Sequence, residues 1–159
     1  MIEILNADLS SPTHGRAIVD LLNFYAIGHT GGGQGISTHV RENLVAELRK
    51  RPNMHVVLAL VNGSPAGLAI CIEGFSTFAC KPLLNIHDFM VAEPYQRRGI
   101  ARMMLAKTEE IARAIGCCKL TLEVLEGNAP ARALYESFGF AGYELDPTMG
   151  KALFWQKKL

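Results

Sequence analysis

The sequence predicts an α/β protein: a single domain spanning residues 1–159, with a central mixed β-sheet flanked by helices. Three observations lead there. A chain of 159 residues suits one domain that can bury a proper core. Hydrophobic residues make up 49% and charged residues 19%, the balance of a globular chain and not of a disordered one. Apolar runs of strand length also interleave with segments of helical period, in an order close to βααββββαβαββ when "GFSTF" is counted as strand-like.

"MIEILNA" alternates as a first strand does, and "THGRAIVDLLNFYAI" sets Ile18, Leu21, Leu22 and Tyr25 at helical spacing. "GHTGGGQGIS" follows as the most flexible stretch. It lacks the Gly-Lys-Ser/Thr ending of a phosphate loop, so it reads as a mobile loop bordering a site or as a plain connector. A second helix over residues 38–51 stops before Pro52. "MHVVLALV" is a buried strand, "NGSP" a turn and "AGLAICIEGF" the returning strand. "LLNIHDFMV" is another apolar strand. "GIARMMLAKTEEIARAIG" is a helix with Ile100, Met104, Ile111 and Ile115 on its apolar stripe. "CKLTLEVL" is a strand. "NAPARALYESFGF" is a short helix, with Asn128 as N-cap, Pro130 in the first turn and Gly139 past its end. "KALFWQKKL" closes the chain as a final strand.

A formal net charge of +1 argues against a general nucleic-acid binder. No apolar run approaches the roughly 20 residues that span a bilayer, which removes a membrane partner. "MIEILNADLSS" has neither the basic start nor the apolar core of a signal peptide, and a cytoplasmic location follows by default. Cys71, Cys80, Cys117 and Cys118 form no C-x-x-C pair, so no metal site is expected and all four read as small buried hydrophobes.

The chemistry concentrates in "VAEPYQRRGIARMML". An apolar strand leaves through a proline, passes Gln96, Arg97 and Arg98, and reaches Gly99 where an amphipathic helix begins. A helix start offers unpaired N–H groups and the positive end of the macrodipole, and a glycine there lets an anion approach the backbone. The constellation suits a pyrophosphate, with N–H groups from Arg97 through Ile100 to Ala101 around it. A helix that merely starts with solvated arginines is the plainer alternative.

These residues resemble the Gln/Arg-x-x-Gly-x-Gly/Ala signature of the GNAT acyltransferase superfamily, with Ala101 in place of the commoner second glycine. "LTLEVLEGNAPARALYESFGF" is similar to that family's second cofactor segment, about 25 residues downstream. The resemblance implies the GNAT fold, acetyl-CoA as cofactor and transfer of its acetyl group to an amine. It implies that Gln96, Arg97, Arg98, Gly99, Ile100 and Ala101 hold the pyrophosphate. Backbone groups of Phe89 and Val91 would then meet the pantetheine arm, and Phe89 or Met90 would supply the N–H for the oxyanion. Asn128, Ala131 and Tyr135 share one helix face at i, i+3 and i+7, and the resemblance makes Tyr135 the acid that protonates the leaving thiolate.

Four groups compete as base: Glu73, His87, Asp88 and Glu123. His87 offers an imidazole, a common proton acceptor in catalysis, and stands where polyamine-type acetyltransferases carry a glutamate. Glu123 lies twelve residues before Tyr135, a separation that ribosomal-protein alanine acetyltransferases share. His87 ranks ahead of Glu123. Alternation sets His87 with Phe89 and Val91, and Asp88 with Ile86 and Met90, so both enter one pocket only if the strand bulges. Acceptor recognition falls to the glycine loop, Tyr25 and "IEGFSTFACKP", where Phe75 supplies an apolar wall while Glu73 and Asp88 attract a cationic amine.

The leading expectation is therefore an acetyl-CoA-dependent N-acetyltransferase acting on a primary amine of a small molecule, by direct attack in a ternary complex. A protein or peptide N-terminal amine is the alternative acceptor, and a non-catalytic acyl-CoA-binding domain the alternative class. Final strands in this superfamily often pair across subunits, so Phe154 and Trp155 would also suit a homodimer edge.

Overall fold

The computed structural model describes residues 1–144 and 146–159, which divide into two compact units, 1–125 and 126–159. The first holds β1 (Ile2–Asn6), α1 (Pro12–Ile27), α2 (Thr38–Arg49), β2 (Met54–Val61), β3 (Ser64–Ser76), β4 (Lys81–Val91), α3 (Ile100–Ile115) and β5 (Leu120–Leu122). The strands lie side by side in chain order; β1 to β4 run antiparallel and β5 joins β4 in parallel. This is the mixed sheet with flanking helices that the pattern predicts.

Local chemistry explains the boundaries. Ser11 caps α1 by accepting from the His14 N–H, with Pro12 opening the helix, and Ser37 caps α2 by accepting from Val40. The β2–β3 turn uses Asn62 and Gly63, both left-handed at φ 51° and 79°, the pair a tight hairpin requires. Gly116, at φ 83°, ends α3 in the usual glycine manner.

The sheet is buried on both faces. Val56, Leu58, Leu68, Ile70 and Met90 pack with Ala17, Ile18 and Leu21 of α1 and Leu48 of α2. The alternate residues, among them Val57, Ala59, Gly67, Ala69 and Cys71, turn to the other face, where α3 brings Ile100, Met104, Leu105, Thr108 and Ala112. Gly67 sets how closely α3 approaches, since a Cβ there would meet the Met104 sulfur at 2.7 Å and the Met90 carbonyl at 3.1 Å.

The second unit holds α4 (Ala129–Ser137), capped by Asn128, and a 3-10 turn at Pro147–Met149. Several expectations need correction. "GFSTF" is no separate strand, because β3 runs on through it to Ser76. The strand expected over "CKLTLEVL" keeps only Leu120–Leu122, as its ladder with β4 ends at Ile86. "KALFWQKKL" forms no strand, and Leu153, Phe154 and Trp155 are exposed. An apolar, aromatic run marks a segment that could join a ladder, but a strand exists only with a partner, and none pairs with 151–159 among the described residues. Of the cysteines only Cys71 is fully buried, with burial pushing its thiol up to about 12; Cys80 and Cys118 are exposed.

Overpacking at the α3–sheet contact is testable. Gly67→Val should destabilise the protein by about 1–3 kcal/mol, the usual range for added core volume. Urea unfolding should show this as a lower midpoint at unchanged m-value.

Candidate active site

The site begins with an irregularity in β4. Asp88 pairs with Ile70 of β3, but the next residue of β3, Cys71, pairs with Ile86. His87 is the extra residue between them: a β-bulge. Without it Ile86 and Asp88 would share a face. With it Ile86 faces α3, while Asp88 joins Met90 and Ile70 beneath α1. The expected grouping of Asp88 with both Ile86 and Met90 therefore holds for Met90 alone. His87 itself is exposed.

Asp88 is largely enclosed, and burial raises its carboxyl above the usual carboxylate range, with the neighbouring His87 acting in the opposite direction. Tyr25, on the last turns of α1, packs against the same core. Its phenol is raised by burial and by the charge of Asp88, which places the two side chains in one electrostatic neighbourhood. Among the described residues no Lys or Arg forms an ion pair with Asp88.

The bulge also ends the β4–β5 ladder, whose last pair is Ile86 with Leu122. Residues 88–91 pair with β3 on one edge and, among the described residues, belong to no ladder on the other. Ala92 donates to Ala66 of β3 at 2.8 Å, while the Val91 carbonyl accepts from Gln96 Nε2 at 3.0 Å. By alternation the main-chain groups of Phe89 and Val91 turn to the outer edge and those of Met90 toward β3. Of the two residues expected to supply an N–H donor, Phe89 has the outward one; the Met90 side chain is buried in the core.

Past β4 the chain makes a 3-10 turn at Glu93–Tyr95 and then bends sharply. Arg97, at φ 62°, and Gly99, at φ 77°, are both left-handed. Bends of this kind present successive N–H groups to one side and make anion-binding concavities. Arg98 lies over the Tyr95 ring, 5.7 Å from its centroid. Side-chain oxygens close α1, α2 and α4, but Gly99 gives α3 no cap. Met103 bonds back to the Gly99 carbonyl, so the donors before it are the ones that an anion would complete. Ile100 anchors this start in the core.

In the second unit Asn128 accepts from the Ala131 N–H at 3.3 Å, and the buried Tyr135 ring meets Phe140 edge-on at 5.8 Å. Glu123 is exposed just beyond β5. Glu73 and Phe75 are not brought to Asp88 and Tyr25. Glu73 shares the α3 face with Cys71 and approaches His55 Nε2 at 3.5 Å, and the exposed Phe75 keeps the same phase along β3. Two-residue alternation along a regular strand separates them from the face that Ile70, Asp88 and Met90 share.

Two participants escaped sequence reasoning. Asn23 Oδ1 accepts from the Ile36 N–H at 3.1 Å, tying the glycine loop to α1. A lone asparagine in an apolar helix is the only trace of this in the sequence. Thr121 Oγ1 accepts from Asn85 Nδ2 at 3.0 Å just before the ladder ends, a contact with no motif.

The left-handed Gly99 carries a clean test, since nothing lies within 4 Å of a Cβ built there. Gly99→Ala should cost about 1–2 kcal/mol through backbone strain alone, lowering the urea midpoint without a change in m-value.

Residues 18–140 match the Acetyltransferase (GNAT) family. The chain is 44% identical over 68 residues to an uncharacterized N-acetyltransferase of Bacillus subtilis, a match covering 43% of this chain and 42% of that protein. It is 25% identical over 130 residues to a thialysine N-epsilon-acetyltransferase of Caenorhabditis elegans, covering 82% of this chain and 79% of the relative. Its fold superposes on the structure of AAC(6')-Iy in complex with the bisubstrate analog CoA-S-monomethyl-acetylneamine, with a TM-score of 0.78 at 16% identity, covering 100% and 99% of the two chains. With more than half of its length matched and a five-stranded mixed sheet to bear it, the chain belongs to the GNAT acetyltransferase family.

Proposed function

We propose that this protein moves the acetyl group of acetyl-CoA to a primary amine of a small molecule, by direct attack while both are bound. The observation that carries the reading is the uncapped start of α3, where the left-handed Arg97 and Gly99 bend the chain and Arg98 stands beside them. That bend fits a diphosphate in charge and in donor supply. Acetyl-CoA, when bound, supplies the activated thioester.

The chain's own residues divide the remaining work. Backbone groups of Gln96 to Ala101, with the Arg97 and Arg98 guanidinium groups, hold the diphosphate. The outward edge of Phe89 and Val91 receives the pantetheine arm as an added strand would, and the Phe89 N–H donates to the oxygen on which negative charge develops. Asn128 and Ala131 support the same arm. Tyr135 holds its phenolic proton for the departing sulfur.

His87 serves as base. It stands exposed at the bulge beside Asp88, in reach of water, and imidazole is the commonest side-chain general base. Glu123 is the second candidate, exposed beyond β5. Asp88, enclosed and in no ion pair with a Lys or Arg among the described residues, receives the positive charge of the amine, and Tyr25 walls it. Support for a small amine comes from the thialysine N-epsilon-acetyltransferase relative and from the acetylneamine portion of the neighbour's analog. The exposed Phe154 and Trp155 support pairing of this segment across a homodimer.

Thiol release from acetyl-CoA against polyamines, amino acids, aminoglycosides and short peptides tests the reading, and release with no amine in the set would refute it. Tyr135→Phe should lower kcat by about 10-fold or more, with the acetyl-CoA KM little changed; an unaltered kcat removes Tyr135 from the chemistry.

Asp88 adds a linkage prediction. Its folded carboxyl is raised, so folding disfavours the charged form: the stabilisation is full below the ordinary carboxylate range and disappears as pH rises through the folded value. Asp88→Asn should therefore raise Tm at neutral pH by ~2–4 °C, the response of a chain of this size to about 1 kcal/mol. The gain should vanish in acid, and the KM for amine should rise.

A further inference from the structure

The glycine loop between α1 and α2 is more specifically built than its composition suggests. It folds back along the end of α1. Gly28 donates to the Tyr25 carbonyl, Gly31 to the Gly28 carbonyl and Gly33 to the Ala26 carbonyl, each at 3.0 Å. Ile36 then donates to Asn23 Oδ1, at 3.1 Å across 13 residues.

The glycines are required by contact or by backbone. A Cβ on Gly31 would lie 2.0 Å from the Tyr25 carbonyl oxygen and 2.7 Å from the Ala26 Cα, neither of which can give way. A Cβ on Gly35 would fall 2.8 Å from Asn23 Oδ1. Gly32 and Gly33 are left-handed, at φ 104° and 80°. Asn23 thus closes the loop from the helix side while Gly31 and Gly35 let the loop come near enough to be closed. The turn of α1 so gripped is the one that carries Tyr25, whose ring packs on the sheet over the Asp88 face.

We propose that Asn23 is a positioning residue for the acceptor: its bond to the Ile36 N–H fixes the α1–α2 loop against α1, and so fixes Tyr25 over Asp88 as a preformed wall for a cationic amine. The inference rests on the acetyl-transfer reading and deepens it. It assigns acceptor affinity to a helix–loop contact that touches neither acetyl-CoA nor the reacting groups. Loss of the bond leaves the Ile36 N–H without its partner and lets the loop leave the helix, which weakens amine binding and leaves the diphosphate bend as it was.

The test compares Asn23→Ala, Asn23→Asp and Gly35→Ala with wild type. The acceptors are spermidine, L-ornithine, neomycin and a seryl tripeptide, and amide exchange is followed at Ile36. Asn23→Ala should raise the KM of the best acceptor ~10-fold, with kcat and the acetyl-CoA KM within ~2-fold, the signature of lost acceptor binding alone. Exchange at Ile36 should speed ~5- to 10-fold, as loss of one hydrogen bond allows. Asn23→Asp, which keeps an acceptor oxygen in place, should restore both. Gly35→Ala breaks the contact from the exposed loop side, should reproduce the Asn23→Ala pattern, and decides the matter if that variant does not fold. Faster exchange at an unchanged amine KM would overturn the proposal, and so would an equal rise in both KM values. Wild type that acetylates no amine in the panel would remove the acetyl-transfer reading and this role with it, whereas an active wild type with an indifferent Asn23→Ala would remove this role alone.

Discussion

One surplus residue in β4 organises the first unit. Because His87 has no partner on β3, the strand changes phase there, and two consequences follow from the same displacement. Asp88 lies with Met90 beneath α1 while Ile86 faces α3, residues that an unbroken strand would have kept on one face. The strand also bends away from β5, so their ladder stops at Ile86. A bulge does both at once because an extra residue increases the local twist as well as reversing the alternation. The result is a sheet whose fourth strand pairs with β5 before residue 87 and not after it.

Unfavourable local features gather around the end of that ladder. Asp88 sits in surroundings that resist its charge. Arg97 takes a left-handed conformation that an L side chain rarely adopts, and α3 starts with no side-chain oxygen to close it. Much of the rest of the molecule follows ordinary rules. Serine and asparagine cap the other helices, a left-handed Asn-Gly pair turns the hairpin, and apolar side chains fill both faces of the sheet. Departures held in place by a well-packed surround are characteristic of binding and catalytic sites, since the rest of the fold supplies the stability that they lack.

The glycine loop shows how composition misleads. Its five glycines read as flexibility, yet the folded loop is gripped by main-chain bonds to α1 and by Asn23. Glycine serves there because Cβ atoms would collide with the helix backbone, a reason that only the neighbour's position can reveal. The mistaken final strand has the same root. The apolar run in "KALFWQKKL" has strand-like composition, but whether a ladder receives it depends on what lies alongside.

Sequence alone determined the elements with local causes: the helices, with the Asn128 cap and the Gly139 stop of α4, the Asn62-Gly63 turn, the apolar strands, and the cationic bend from Gln96 to Ala101. These rest on periodicity, backbone preference and charge within a few neighbouring residues, all of which a linear reading contains. Tertiary structure decided which face Asp88 occupies, that Glu73 and Phe75 lie apart from it, where β5 ends, and what Asn23 holds. Each of these depends on register between segments distant in the chain. Register is settled by competition among many side chains for one core, and no single stretch of sequence states its outcome.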